Sequence, residues 1–184
     1  RFFERSELAV MGGCPACGED EVEIEQADWE PATPTQHARP PERAAEIRAE
    51  AERLLARYKV VEPPVDVERI AFGEGLRIVR KQLGESDGFV EDDLLTVNAE
   101  HARTRQRFTI AHELGHLALH ADGTDENSER EADQFASAVL IPREMLRRAV
   151  TETPDLDVLR RRFNVSREAL WIAVKDARLE RKIS

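Results

Sequence analysis

The chain has 184 residues, 41% hydrophobic and 35% charged, with 9 glycines and 9 prolines; this suits one globular domain with an appendage and excludes collagen-like or wholly disordered chains. A formal charge of -10 argues against a non-specific nucleic-acid binder, so direct nucleic-acid binding is not expected. No run approaches the roughly 18 apolar residues of a membrane helix, Arg1-Phe2-Phe3-Glu4 lacks the basic-then-apolar order of a secretory signal, and two cysteines cannot staple a fold; a cytoplasmic location without a membrane is expected.

Residues 1–34 carry nine acidic side chains against two arginines and run into the Pro-rich stretch Pro31 to Pro41, so residues 1–41 read as an acidic arm and linker. From there, Ala45, Leu54, Leu55 and Tyr58 among alternating charges predict a helix over 42–58, ended by Pro63-Pro64. Val65, Val67, Ile70 and Ala71 predict a short second helix closed by Gly73, and Leu76 to Val79 a strand. Gly84 to Gly88 supplies a turn, with short apolar runs at 88–90 and 94–97, so a small, mainly antiparallel sheet of three to four strands is expected. Beyond Asn98 the pattern is helical, near 104–120, 128–140, 142–150, 155–163 and 166–180. The expected fold is an α+β domain over 42–184, with the sheet packed on the first of these helices.

That helix contains His112-Glu113-Leu114-Gly115-His116, an HExxH pattern. Helical residues four apart point within roughly 40° of each other, so His112 and His116 can place two imidazole nitrogens on one zinc ion. Glu113 lies between them in angle and can serve as general base without being a ligand. Phe108, Ala111, Leu114 and Ala118 form the opposite stripe and are expected to bury the helix against the sheet. Gly115 costs about 1 kcal/mol relative to alanine in a helix interior, which points to close approach by another backbone or a substrate.

A catalytic zinc takes three protein ligands and keeps one open position. His120 continues the same face but sits about 6 Å further along the axis than His116, a place for a helix-capping or carbonyl-bonded histidine. The following segment supplies a better third ligand. Its apolar residues Ala132, Phe135, Ala136, Val139 and Leu140 define an inward face; Glu129 lies about 50° from its centre and Glu131 more than about 100°. Glu129 is therefore expected inward. Glu131, in capping-box spacing with Ser128, is expected at the helix start. Asp133, one turn after Glu129, can accept the second N–H of a ligating histidine.

The stretch from Arg107 to His120, followed by Glu129 to Pro142, resembles the ImmA/IrrE metallopeptidases. The likeness extends upstream to Pro64-Val65-Asp66-Val67 and Thr96-Val97-Asn98, and downstream through Arg162-Phe163-Asn164-Val165-Ser166. It implies a gluzincin-like fold and one catalytic zinc ion held by His112, His116 and Glu129, with Glu113 as base. It further implies a zinc endopeptidase cutting a protein substrate, commonly a DNA-binding helix-turn-helix repressor of a mobile element or stress regulon. The alternative is a non-catalytic metal-binding sensor that acts on a repressor by binding; the presence of Glu113 speaks against it.

Two motifs fall outside this picture. Cys14-Pro15-Ala16-Cys17 is half of a zinc knuckle. It reads as a reduced loop, as a second metal site completed by His37 or another chain, or as a thiolate that reaches the catalytic zinc. The basic C-terminal stretch has helix-turn-helix spacing around Asn164-Val165-Ser166, but its apolar residues fit two helices packed on the domain.

Overall fold

The computed structural model describes residues 41–120 and 126–183. Helix α1 (Pro41–Arg57) opens with proline at a position where a missing N–H costs nothing, has Glu42 in its first turn and ends on Arg57. Helix α2 (Val67–Gly73) is capped by Asp66, which accepts the Arg69 N–H at 3.0 Å. Three strands follow: β1 (Arg77–Lys81), β2 (Gly88–Glu91) and β3 (Leu94–Asn98). The rest is helical: α3 (Arg103–Leu119), α4 (Glu126–Leu140), α5 (Arg143–Glu152), α6 (Leu156–Phe163), α7 (Arg167–Asp176) and a terminal 3-10 turn, Glu180–Lys182.

The fold is α+β, and its sheet is mixed rather than mainly antiparallel. Strand order is β1-β3-β2; β2 pairs antiparallel with β3, whereas β1 pairs parallel with it, from Arg77↔Leu94 to Lys81↔Asn98. The Gly84 region, which looks like a hairpin turn in the sequence, instead carries the chain past the place that β3 later fills. Asn98, fully buried, holds this crossover by donating from Nδ2 to the Gly84 and Ser86 carbonyls at 2.9 and 2.8 Å.

One apolar cluster runs from Ile47 and Leu54 of α1 through Leu95 and Val97 of β3, Ile110 and Leu114 of α3 and Phe135 of α4 to Leu159, Phe163, Leu170 and Val174 of α6 and α7. The last pair forms a helix-turn-helix corner around Asn164, which is left-handed at φ 53°; its apolar residues are spent on this core. The α3 helix is anchored by Arg107, whose guanidinium donates to the carbonyls of Val65 and Asn164 at 2.8 and 3.2 Å. Its buried stripe includes Ala111 and Leu114, as expected, with Phe108 partly covered, but Ala118 is exposed.

Helix α4 crosses α3 closely at Gly115. A Cβ built there would stand 3.0 Å from Ala132 Cα and 3.2 Å from Ala132 O. The obstacle is backbone and cannot swing aside. Gly115→Ala therefore gains about 1 kcal/mol of helix propensity but incurs overpacking at the upper end of roughly 1–3 kcal/mol. A lower urea midpoint is expected for the variant, and an equal or higher one would mean that the two helices separate freely.

Candidate metal centre

The close crossing sets the first turns of α4 over the exposed edge of α3. There His112 Nε2 and His116 Nε2 are 3.0 Å apart. Glu129 extends from α4 with one oxygen 3.3 Å from His112 Nε2 and the other 3.2 Å from His116 Nε2. Among the described residues these three form the one group of His, Cys, Asp and Glu side chains whose donor atoms gather closely enough to hold a metal ion. The donor set fits zinc in chemistry and in size: ligand bonds of about 2.0–2.1 Å in a tetrahedron give edges of about 3.3 Å, and the three observed separations are close to that.

Asp133, one turn beyond Glu129, places Oδ1 2.9 Å from His112 Nδ1. A carboxylate can only accept, so Nδ1 carries the proton and Nε2 presents its lone pair toward His116 and Glu129. The same contact raises the His112 imidazole above its ordinary pKa against the opposing effect of burial. His116 moves the other way, lowered by burial and then by the neighbouring His112 charge. Burial pushes the Glu113 carboxyl up, with His112 opposing and Glu129 adding to the rise, which makes it a stronger base than a solvated carboxylate.

Two expectations for α4 are reversed. Glu129, expected to face inward, is 58% exposed at its side chain, while Glu131, expected outside as a cap, is 8% exposed. The helix begins at Glu126 rather than Ser128, so Ser128 lies within the first turn and cannot act as the N-cap of this helix. Burial on α4 also comes from two sides. Helix α1 covers the flank that holds Glu131, where Arg43 donates from Nε to Glu131 Oε2 at 3.1 Å, and Glu129 overhangs the open side above the histidines. His120 is the residue that ends α3, its N–H bonded to the His116 carbonyl, and its Nε2 lies 3.3 Å from the same Glu131 oxygen. Arg43 was not foreseen, since an arginine near the start of a charged helix carries no signal in sequence. Cys14 and Cys17 lie outside the described residues.

A groove of about 610 Å³ starts beside Asp133 and Phe108 and continues between α1, α5 and α7 past Ile141 and Ile172. On the other side, Arg105 donates from Nε to Asp87 at 2.8 Å and ties the start of β2 to α3.

The IrrE N-terminal-like domain family, Peptidase_M78, matches residues 73–175, and the chain belongs to this metallopeptidase-like family, which implies a metal ion. Over 129 residues it is 29% identical to the radiation response metalloprotease IrrE of Deinococcus deserti (strain DSM 17065 / CIP 109153 / LMG 22923 / VCD115), covering 61% of this chain and 46% of that protein. The chain thus spans about half the length of this curated relative. A solved structure described as a Mycobacterium tuberculosis transcriptional regulator superposes with a TM-score of 0.55 at 21% identity, covering 68% of this chain and 45% of that one, a likeness of fold. No helix among the described residues is long and apolar enough to cross a membrane.

Protons compete with metal for His112. Its raised value means that, without metal, the imidazolium persists above the usual pKa of about 6.5. The Asp133 pairing therefore stabilises the metal-free fold fully below the unfolded value, and this contribution is lost as pH rises through the folded one. Zinc affinity, measured by chelator competition, should accordingly fall as pH drops through the raised His112 value. Asp133→Asn should move that fall to lower pH and weaken zinc binding by about 10–100-fold at neutral pH. An unchanged profile in the variant would remove Asp133 from control of the site.

Proposed function

We propose that this chain is a zinc-dependent endopeptidase in which His112, His116 and Glu129 hold one catalytic zinc ion and Glu113 is the general base. The observation that carries this is the juxtaposition of a two-histidine, one-carboxylate donor set with a neighbouring glutamate whose basicity is raised by burial. Bound zinc would supply a Lewis acid for the scissile carbonyl and the attacking water. The chain's own residues do the rest. Glu113 takes the proton of the attacking water and delivers it to the departing amine. Asp133 keeps His112 in the tautomer that turns Nε2 toward the centre. The groove beyond Asp133 gives an extended segment of protein somewhere to lie.

The substrate we infer is a protein, specifically a DNA-binding helix-turn-helix repressor of a mobile element or stress regulon, in a cytoplasmic setting. Family membership and the similarity to a radiation response metalloprotease support this direction. Direct nucleic-acid binding by the chain itself is not part of this reading, given its formal charge of -10. The domain responsible is residues 42–184, with residues 1–41 as an appended arm.

Two substitutions separate metal binding from chemistry. His112→Ala or His116→Ala should strip the protein of its single zinc, because two remaining ligands hold a tetrahedral ion poorly. Glu113→Gln should retain zinc and fold yet lose cleavage, since an amide of the same shape cannot accept the proton. Elemental analysis and a repressor-cleavage assay read both. Cleavage at the wild-type rate by the glutamine variant would exclude Glu113 as base. Equal inertness of both proteins toward candidate repressors, with binding intact, would favour the non-catalytic sensor.

A further inference from the structure

Glu129 is the exposed member of the donor set, yet its oxygens stand 3.2–3.3 Å from two imidazoles on another helix. An exposed glutamate has many rotamers, so its reach to both imidazoles depends on where its backbone is held. On one flank, Ala132 lies against Gly115. On the other flank is Glu131, two residues from Glu129 and in the same helical turn.

Glu131 carries a carboxylate that is 8% exposed at the side chain. Such burial is costly unless the charge is compensated, and an arginine from another helix supplies the opposite charge. Arg43 of α1 donates to Oε2 through both Nε and Nη2, and His120 at the end of α3 brings Nε2 to 3.3 Å from the same oxygen. One oxygen thus bonds α1 to the first half of α4 and lies against the end of α3. His120 is one turn beyond His116, with ring centroids 6.1 Å apart, so Glu131 packs beside the metal-binding stretch of α3 while Arg43 holds the ligand-bearing turn of α4.

We propose that Glu131 is a positioning residue for the metal centre, clamped by Arg43 and packed against His120 so that Glu129 is presented to His112 and His116. The proposal rests on the metal-site assignment above. Removing the clamp lets the first turns of α4 shift relative to α3 while the Gly115–Ala132 contact and the apolar core still hold the fold. The loss then appears in metal affinity before it appears in stability. Arg43 can be replaced in part by lysine, which keeps the charge, though it lacks the fork that reaches Oε2 through two nitrogens.

The experiment compares full-length wild type with Glu131→Gln, Arg43→Met and Arg43→Lys. As a control it includes Arg57→Ala, which breaks the exposed ion pair with Glu74 at the other end of α1. Apparent zinc affinity is measured by chelator competition at a temperature where each metal-free protein is folded by circular dichroism, and the cobalt(II) absorption spectrum reports the ligand set. Glu131→Gln and Arg43→Met should bind zinc about tenfold or more weakly, in the range of partners that orient ligands, with an altered cobalt spectrum. Arg43→Lys should recover part of the loss, and Arg57→Ala should match wild type. Lower melting temperatures with unchanged zinc affinity and cobalt spectrum would overturn the proposal and leave the clamp purely structural. If Glu131→Gln does not fold, the ordering of Arg43→Lys between wild type and Arg43→Met in zinc affinity decides, and no such ordering counts against the clamp. Clamp-dependent zinc binding by a protein that cuts nothing would refute the peptidase reading alone, whereas a wild type that takes up no zinc would refute both.

Discussion

The approach of α3 and α4 at Gly115 is the constraint on which the candidate site depends. With hydrogen in place of a methyl group, the Ala132 backbone comes within 3.0–3.2 Å of where a Cβ would be, and at that separation carboxylate side chains of two or three carbons can reach side chains on the neighbouring helix. Glu129 and Asp133 flank Ala132 in the α4 sequence and meet His116 and His112 on the opposing helix. A wider crossing would break both contacts at once. The helical cost of glycine is thus offset by the assembly of a four-residue centre.

Electrostatics explain why such a centre suits a dication. Glu113, Glu129 and Asp133 gather around two imidazoles, and one of those, His116, is lowered by burial and by the charge on His112. Without metal, the group relies on a proton on His112 to offset the carboxylates. A divalent cation held by His112, His116 and Glu129 would take over that compensation and displace the proton, which would link metal binding to proton loss. The buried Glu131 is compensated separately by Arg43. The two charge systems share α4 and remain chemically distinct: one gathers donor atoms that could hold an ion, and the other is closed by a protein guanidinium.

The small sheet serves the same centre from the opposite side. Gly88 of β2 lies so close to α3 that a Cβ would stand 2.7 Å from Thr109 Cγ2 and 2.6 Å from the Thr96 carbonyl. Asp87, just before it, is held by Arg105, whose hydrogen bond keeps the Asp87 carboxyl below its ordinary range. Strand β2, the free antiparallel edge, is therefore registered to the same helix that carries His112 and His116.

Local chemistry was legible in the sequence wherever a single element decides it. The spacing of His112 and His116 needs only a helix, and Asp133 four residues after Glu129 needs only another. The α+β class and the element boundaries followed from periodicity and from Pro and Gly breaks to within one or two residues over most of the chain. What the sequence could not supply was the direction of pairing and the side from which a helix is covered. Strand β1 is parallel to β3 because the chain crosses the sheet at Gly84, a path that a glycine-marked turn does not disclose. The burial of Glu131 and exposure of Glu129 depend on α1, which begins 85 residues earlier than α4. An angle on a helical wheel states which residues share a face; only tertiary packing decides which faces meet protein, because burial is a property of the neighbour as much as of the helix.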